Sequence, residues 1–335
     1  MKKRPLTRPP SREPDSGRKP VLVTGGAGFI GSHLVERLLS EGHAVIVIDD
    51  LSTGSLENLR AVSGHARLRF IQSKISACAE LPDLMAGAAA IYHLAAAVGV
   101  ALVMQSPIHT LETNLHETEV LLKAAAAHRV PLLLTSSSEV YGKSEKPLFR
   151  EDDDLLIGPP SHVRWSYACS KLMDEFLVLA YGRERALPVV VARLFNTVGP
   201  RQTGRYGMVL PRFITAARRG EPLMVHGDGL QTRCFCYVSD TVEALIRLQN
   251  SPAARGQIFN VGGTEEVSIL ALAGQVVELL YSGSKIELVP YSTAYAGGFE
   301  DMRQRKPSVD RLAATIGFRP ETRLREIILK TAGGA

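Results

Sequence analysis

The sequence predicts an α/β protein in which a doubly wound parallel sheet is followed by a smaller α/β lobe. Short, continuously apolar segments alternate with helical segments, which is typical of a parallel sheet covered by helices on both faces. A glycine-rich turn joins the first apolar segment to the first helix. After Arg193 the alternation loosens and turn residues separate shorter elements, so we expect the second lobe to begin there.

The first part of the chain supplies the predicted sheet. Its strands are expected at Lys19–Thr24, Ala44–Ile48, Leu68–Gln72, Ala90–Leu94, Leu132–Ser136, Val189–Leu194 and Ile258–Val261. Helices are expected between them at residues 29–40, 110–128 and 167–185. With 335 residues, 45% of them hydrophobic, the chain is long enough to bury a core in the sheet and another in the second lobe.

The net charge of +5 is concentrated at the N-terminus. The first twenty residues hold seven Lys or Arg and two Asp or Glu, whereas the remaining 32 basic and 32 acidic residues balance. Because it is rich in proline and has no apolar run, segment 1–19 is predicted to be a solvated, disordered tail, with weak polyanion binding as the alternative. The balanced body predicts no nucleic-acid partner.

No segment of the sequence predicts membrane insertion or export. The longest apolar stretch, Leu94–Met104, has about half of the roughly 20 residues that a membrane span needs. The basic N-terminus is not followed by the apolar part of a secretory signal. The four cysteines have no metal-ligand spacing, so we expect no metal and a reducing, cytoplasmic setting.

The glycine-rich turn, Thr24-Gly-Gly-Ala-Gly-Phe-Ile-Gly31, predicts a dinucleotide site. Such a turn lets backbone N–H groups and a helix N-terminus approach a pyrophosphate. Asp49 ends the second strand, 18 residues after Gly31, where its carboxylate would bind both ribose hydroxyls and repel a 2′-phosphate. The predicted cofactor is therefore NAD, bound at the turn by Gly25, Gly28, Phe29, Ile30 and Gly31.

A second motif pairs a phenol with an ammonium. Tyr167 and Lys171 are four residues apart in a predicted helix and so share one face of it. A neighbouring Lys⁺ and a nicotinamide cation both favour phenolate, which predicts that Tyr167 acts as a base near neutral pH. The Ser136-Ser137-Ser138 run follows an apolar strand and should lie at the carboxyl edge of the sheet, where such folds place ligands.

Together these motifs resemble the extended short-chain dehydrogenases/reductases of the NAD-dependent sugar-nucleotide epimerase/dehydratase type. The resemblance runs from Val21 to about Thr331. It rests on TGGAGFIG at 24, YHLAA at 92, SSSEVYG at 136, YxxxK at 167, RLFNTVGPRQ at 193, GDGLQTR at 227 and RQRKPS at 303.

The resemblance implies the domain organisation. It predicts a Rossmann-type NAD-binding domain over residues 20–194, which segments at about 230–262 rejoin. Residues 195–229 and 263–331 are expected to form the substrate lobe. Relatives pair through two long helices, so a homodimer is expected, formed here by residues 108–128 and 167–185.

The resemblance also implies residue roles. Ser137, Tyr167 and Lys171 would form the catalytic triad, with Tyr167 removing the proton of the sugar 4-hydroxyl while hydride passes to NAD⁺. Leu94, Tyr167 and Lys171 are expected to contact the cofactor. A nucleoside-diphosphate sugar would occupy the second lobe, and the residues expected near its diphosphate are Asn196, Arg233 and Arg303.

One departure from the family pattern concerns the adenine. The third strand usually ends in Gly-Asp, whereas this chain has Ser73-Lys74. The departure removes an expected adenine contact and leaves the pyrophosphate site as predicted.

The residues after Ser137 distinguish the possible reactions. Dehydratases of this family carry Asp-Glu there, whereas this chain has Ser138-Glu139, and a serine is a poor proton donor. The Ser-Glu pair resembles UDP-glucuronate decarboxylases. A structural carboxylate that caps backbone N–H groups is the alternative reading of Glu139.

The run Arg303-Gln-Arg305-Lys306 points to the same reaction. The resemblance to plain 4-epimerases leaves only Arg303 matched, while the decarboxylases carry a second arginine, as Arg305 is here. A guanidinium beside the sugar is what a carboxylate at carbon 6 requires. A surface basic run is the alternative reading of Arg305.

The expected reaction is therefore oxidation of UDP-glucuronate at carbon 4, loss of CO₂ and re-reduction to UDP-xylose. Arg305 would orient the carboxylate, and Glu139 with Ser138 would deliver or relay a proton to carbon 5. A UDP-sugar 4-epimerase, which needs neither Arg305 nor Glu139, is the alternative. A dinucleotide-sensing regulator is less favoured, because such a protein would have lost the Tyr167–Lys171 pair.

Overall fold

The computed structural model describes residues 19–98, 104–204, 208–290 and 302–333. In chain order the strands are β1 (Val21–Thr24), β2 (Val45–Asp49), β3 (Leu68–Gln72), β4 (Ala90–His93), β5 (Leu132–Ser137), β6 (Val189–Leu194), β7 (Thr197–Val198), β8 (Leu223–His226), β9 (Thr232–Cys234), β10 (Cys236–Tyr237), β11 (Gln257–Val261), β12 (Glu266–Ser268) and β13 (Ile286–Val289). The α-helices are α1 (Phe29–Ser40), α2 (Leu81–Gly87), α3 (Pro107–His128), α4 (Trp165–Arg185), α5 (Val209–Arg219), α6 (Val238–Asn250), α7 (Ile269–Leu279), α8 (Asp310–Ile316) and α9 (Leu324–Gly333).

The centre of the fold is a seven-stranded sheet with the order β11-β6-β5-β4-β1-β2-β3. Every pair in it is parallel. The order runs outward in both directions from β1, so the carboxyl ends of β1 and β4 flank the switch point where such folds bind ligands. The predicted doubly wound parallel sheet is confirmed, and the strand ends differ from those predicted by at most two residues.

Helices cover both faces of the sheet because each carries one apolar face. On α1 the buried side chains include Leu34, Val35, Leu38 and Leu39, which pack in the same core as residues of α6 and α8. The other face of the sheet packs against α2, α3 and α4. The predicted helices are present, although α3 begins three residues and α4 two residues before the predicted positions.

The second lobe is built from small sheets around its own core. Three two-stranded pairs, β7 with β10, β8 with β13 and β9 with β12, lie outside the central sheet. Apolar side chains of α5, α7 and α9 form a separate cluster with those of β8. The chain then returns to the large sheet, where α6 packs on α1 and β11 pairs with β6.

The remaining sequence predictions concern the N-terminal tail, membrane spans and metal sites. The predicted tail 1–19 lies outside the described residues except for Lys19, and so do residues 99–103 of the apolar stretch Leu94–Met104. Within the described ranges, no helix has the length and apolarity to cross a membrane. The same ranges contain no cluster of His, Cys, Asp and Glu suited to hold a metal ion.

Candidate active site

A cavity of about 620 Å³ lies where the parallel strands end and the second lobe faces them. Residues that follow or end strands β1 to β6 line one wall, and residues of the second lobe line the other. The position agrees with the general rule for open α/β sheets, whose ligands bind at the carboxyl ends of the strands. We call its two ends the glycine-turn end, next to residues 25–31, and the arginine end, next to Glu139.

The glycine-rich turn has a shape that only glycine permits. Gly25 has φ of +72°, and a Cβ there would lie 2.6 Å from the backbone nitrogen of Ala95. A Cβ on Gly31 would lie 2.1 Å from the carbonyl oxygen of Gly25. Gly28 is the N-cap of α1, and its N–H donates to the Gly25 carbonyl at 3.1 Å. Gly28, Phe29 and Ile30 all line the cavity.

Asp49 ties this turn to the end of β2. Its Oδ2 accepts the Ala27 N–H at 2.9 Å and its Oδ1 accepts the Leu51 N–H at 2.8 Å. Burial raises the pKa of Asp49, and the two N–H donors oppose that shift. Each carboxylate oxygen keeps a lone pair, and the side chain lines the cavity, as the predicted ribose contact requires.

The arrangement fits the dinucleotide that the sequence predicts. Gly28 and Gly31 have no side chain to obstruct the start of α1, so a pyrophosphate can approach the N–H groups there. A Cβ at either position would also lie close to the Gly25 carbonyl. Leu94, at the end of β4, lines the same cavity. Ser73 and Lys74, which replace the usual Gly-Asp, line it too, so the departure lies where the adenine contact is expected.

Ser137, Tyr167 and Lys171 all line the cavity, and we call the part of the wall that they form its middle. Ser137 ends β5, and Tyr167 and Lys171 lie in the first two turns of α4. Burial and the charge of Glu139 raise the pKa of the Tyr167 phenol. The Ser137 hydroxyl donates a hydrogen bond to the phenol, which lowers this pKa by a smaller amount. The net pKa is above the ordinary value of a tyrosine, which differs from the low value expected beside Lys171.

Burial is the largest cause of the raised pKa of Tyr167, the charge of Glu139 comes next, and the partner of the lysine adds to both. Lys171 Nζ donates to Asp174 Oδ2 at 2.9 Å, and both side chains are almost fully buried. The carboxylate offsets part of the ammonium's charge, so the side chains alone do not make Tyr167 a phenolate at neutral pH. Of the two cations expected to favour the phenolate, only Lys171 belongs to the chain.

A chain of hydrogen bonds continues behind the lysine. The Thr118 hydroxyl lies beside Asp174 and 2.9 Å from His93 Nε2, while His93 Nδ1 is 2.7 Å from the Thr24 hydroxyl. Burial, with a smaller effect of the Lys171 charge, lowers the pKa of His93 to about 3. His93 is therefore a neutral core residue rather than a base.

Glu139 lies at the arginine end, on a short 3₁₀ turn that follows β5. Its Oε1 is 2.6 Å from Arg305 and its Oε2 is 3.2 Å from Arg164. Burial alone would raise the pKa of Glu139, but the charges of Arg305, Arg164 and Arg233 hold it at about 2. Glu139 is therefore ionised at neutral pH and is not a proton donor there.

The structure separates the two arginines of the RQRKPS segment. Arg305 is 8% exposed and lines the cavity. Arg303 does not line it, and its guanidinium pairs with Asp228 at 2.8 Å with a side chain that is 77% exposed. The two side chains lie in different surroundings, although residues two positions apart in a regular strand share one face, because this segment is not a strand and bends at Arg303. The predicted diphosphate contact of Arg303 is not supported by this placement.

The other residues predicted to bind substrate do line the cavity. Asn196 follows β6 with φ of +33°, and its Nδ2 donates to the Cys234 carbonyl at 2.9 Å. Arg233 is buried on β9 and donates to the Met302 carbonyl at 2.9 Å. Ser138 is buried beside Glu139 and lines the cavity as well. The structure thus assembles all the predicted site residues except Arg303 around one cavity.

Three further residues lie at the cavity wall or behind it. Arg164 pairs with Glu139 from the start of α4. Arg201 lines the glycine-turn end, where it donates to the Ser32 hydroxyl at 3.1 Å and to Glu36 at 2.7 Å. Asp174 lies behind the wall and accepts a hydrogen bond from Lys171. The signal for Asp174 was its place seven residues after Tyr167, on the same helix face.

Comparison with known proteins gives a consistent result. Residues 21–262 match the NAD dependent epimerase/dehydratase family. The chain is 42% identical over 304 residues to the UDP-N-acetyl-alpha-D-glucosaminuronate decarboxylase of Bacillus cytotoxicus, which covers 90% of this chain and 93% of that protein. It is 38% identical over 309 residues to UDP-glucuronic acid decarboxylase 6 of Arabidopsis thaliana, which covers 91% of this chain and 85% of that protein.

Solved structures also resemble it. The UDP-glucuronic acid 4-epimerase of Bacillus cereus, solved with UDP-glucuronic acid and NAD, superposes with a TM-score of 0.83 at 27% identity. That match covers 94% of this chain and 98% of the epimerase chain. A dTDP-glucose 4,6-dehydratase of Bacillus anthracis, solved with NAD, has a TM-score of 0.82 at 26% identity and covers 94% and 96% of the two chains.

Proposed function

This chain belongs to the NAD-dependent epimerase/dehydratase family, and we propose that it decarboxylates a UDP-hexuronate, converting UDP-glucuronate to UDP-xylose with no net redox change. The observation that carries the proposal is the set of arginines around Glu139, next to Tyr167. Arg305, Arg164 and Arg233 bring three positive charges to one carboxylate. The surplus positive charge suits an anionic substrate, and a planar guanidinium binds a carboxylate through two parallel hydrogen bonds.

The first step belongs to the middle of the cavity. When bound, NAD⁺ accepts the hydride of sugar carbon 4 and later returns it. Tyr167 accepts the proton of the 4-hydroxyl, and the Ser137 hydroxyl stabilises the phenolate by donating to it. Lys171 holds its ammonium at the same wall of the cavity, where it favours the charged form of Tyr167.

The second step belongs to the arginine end. Once carbon 4 is a ketone, the electrons of the bond between carbons 5 and 6 can move onto the ketone oxygen as CO₂ leaves, and a proton then adds at carbon 5. Arg305 orients the departing carboxylate. Because Glu139 is ionised, its role is to relay a proton from water with the Ser138 hydroxyl rather than to donate its own.

The identity of the sugar has a second candidate. The Bacillus cytotoxicus relative at 42% identity acts on UDP-N-acetyl-alpha-D-glucosaminuronate, whereas the Arabidopsis relative at 38% acts on UDP-glucuronic acid. The two sugars carry the same carboxylate and differ at carbon 2. The arginine end therefore serves both, and the choice depends on the wall that faces carbon 2.

The test supplies NAD⁺ with UDP-glucuronate or UDP-N-acetylglucosaminuronate and measures released CO₂ and the sugar product. We expect CO₂ and a UDP-pentose, and the ratio of kcat/KM values assigns the sugar. Tyr167→Phe is the control and should lower turnover by about 10²- to 10⁴-fold. Formation of UDP-galacturonate without CO₂ would replace the proposal with the 4-epimerase, and a released 4-keto pentose with stoichiometric NADH would show that hydride return fails.

The proposal includes a homodimer through α3 and α4. These helices pack against each other, yet Ile108, Leu111 and Leu115 on α3 and Met173 and Phe176 on α4 remain between 39% and 71% exposed. Large apolar patches on one surface mark interaction sites. Sedimentation should give a dimer for the native chain and a monomer for Phe176→Glu, and a native monomer would remove this part of the proposal.

A reducing, cytoplasmic setting completes the proposal. Cys78, Cys234 and Cys236 are buried, Cys169 is partly buried, and all four are free thiols. Burial raises the pKa of the Cys236 thiol to about 12, so it is a poor nucleophile for disulfide formation. Free thiols that survive expression in the native host, measured by alkylation before lysis, would support this setting, and disulfides would contradict it.

A further inference from the structure

Asp174 is a buried carboxylate that the proposed mechanism does not use. Its side chain has no exposure to solvent, and it sits three residues after Lys171 and seven after Tyr167 on α4. Positions separated by three, four and seven residues share one helix face, so the carboxylate lies behind the catalytic pair. Burying a carboxylate is costly unless it is paired, and Lys171 is the cation that pairs with it, at 2.9 Å.

The neighbours of Asp174 show what else compensates its charge. The Thr118 hydroxyl of α3 lies beside it, and His93 behind Thr118 is neutral. Glu175, the next residue, pairs instead with Arg193, which lies 2.8 Å from its Oε2, and it accepts a hydrogen bond from the Ser136 hydroxyl. Asp174 therefore depends mainly on the Lys171 ammonium to compensate its charge.

Tyr167 faces charged groups from two sides. Glu139 on the turn after β5 disfavours its ionisation, but Arg305 and Arg164 pair with that carboxylate. On its own helix Tyr167 shares a face with Lys171 and Asp174, and the charge of Asp174 also disfavours its ionisation. The Ser137 hydroxyl of β5 completes the groups around the phenol.

The geometry also fixes the direction of the lysine. An ammonium has three N–H donors, and Asp174 accepts one of them. Lys171 lines the cavity, so its other two donors are available to groups bound there. A lysine without this anchor would keep the rotamer freedom of a long side chain and lose part of its alignment.

We propose that Asp174 is a positioning residue that anchors the Lys171 ammonium and, by offsetting part of its charge, sets the pH at which Tyr167 becomes a base. The proposal rests on the proposed function only in taking Tyr167 as the base, and not on the identity of the sugar. An aspartate at this position keeps the phenol protonated to higher pH than a neutral residue would. With Lys171 anchored in this way, a smaller fraction of Tyr167 is phenolate at neutral pH.

The experiment titrates Tyr167 directly in the NAD⁺-loaded protein. Tyrosinate absorbs in the near ultraviolet, and the chain has nine tyrosines, so the signal of Tyr167 is the difference between each protein and the same protein with Tyr167→Phe. Asp174→Asn keeps the shape and an acceptor for Lys171 but removes the charge. We expect the Tyr167 midpoint to fall by about one pH unit in Asp174→Asn.

Matched variants separate charge from damage. Glu184→Gln removes an exposed carboxylate near the end of the same helix and should leave the midpoint unchanged. Asp174→Glu keeps the charge and should restore the midpoint of the native chain. If Asp174→Asn does not fold, Asp174→Ser is read in the same way, because it is also neutral and leaves room for water.

The outcomes decide the proposal. An unchanged Tyr167 midpoint in a folded, neutral variant at position 174, or a midpoint that rises, would overturn it. A lower midpoint whose acid limb also appears in the pH profile of kcat/KM would support it. Because the titration needs no substrate, it reports on Asp174 even if no UDP-hexuronate is turned over, in which case the proposed function fails and this inference does not.

Discussion

The two ends of the cavity are built on different principles. The glycine-turn end is formed by backbone groups. Its turn can form only because Gly25 and Gly31 lack side chains, and the Ala27 N–H holds it in place by donating to Asp49. The arginine end is formed by buried side chains, because Glu139 lies between the guanidinium groups of Arg305 and Arg164. The first end suits a group that many enzymes share, and in the proposed function the second end selects which anion reacts.

The comparison predicts that damage to one end should spare the other. The largest effect is expected for Arg305→Ala, which removes the closest cation to Glu139 and leaves the substrate carboxylate without its partner. We expect kcat for CO₂ release to fall by about 10³-fold while NAD⁺ affinity changes less than about threefold. Equal losses of both would show that the two ends are not independent.

A pH experiment tests the arginine end through stability. The pKa of Glu139 is about 2 in the folded protein, below the ordinary value of 4.5. Its ion pairs therefore stabilise the fold fully above about pH 4.5, and the contribution is lost as the pH falls toward 2. The free energy of unfolding of the native chain should exceed that of Glu139→Gln by about 3 kcal/mol at pH 6, and the two urea-unfolding curves should converge as the pH falls. Curves that stay parallel would contradict the low pKa.

The converse experiment damages the glycine-turn end. A methyl group at Gly31 would lie 2.1 Å from the Gly25 carbonyl oxygen, so Gly31→Ala must displace the turn. NAD⁺ affinity, measured by calorimetry, should fall by about 100-fold. Gly64→Ala is the matched control, because a Cβ there meets nothing within 4 Å. Equal affinity for both variants would mean that the turn does not form the pyrophosphate site.

The smallest effect is expected for Arg303→Ala. Its pair with Asp228 is exposed, and exposed pairs contribute about 0–1 kcal/mol. We expect kcat/KM to change by less than about threefold, against the large loss in Arg305→Ala. A loss comparable to that of Arg305 would restore the diphosphate contact that the family resemblance implied for Arg303.

The difference between the ends also explains what the sequence could predict. The turn, α1 and Asp49 follow one another within 30 residues, and their local pattern predicted both their structure and their proximity. The arginine end joins Glu139, Arg164, Arg233 and Arg305, which tertiary folding brings together from four segments. Motif resemblance selected three of these residues, but it could not say that Arg305 lies inside and Arg303 outside.

Titration behaviour was the least predictable part. The Tyr167–Lys171 spacing predicts a phenol beside an ammonium, and both residues line the cavity from one helix. The sequence could not show that Asp174 takes the ammonium or that Glu139 is held ionised by its neighbours. Charge effects depend on burial and on distances of a few ångströms, which no residue spacing encodes.

The return of the chain to the large sheet through α6 and β11 has a mechanical consequence. Because the polypeptide passes between the two parts at several points, any swing of one part against the other must bend all of these connections together. Cutting the backbone once, between β6 and α5, should therefore leave two fragments that stay associated.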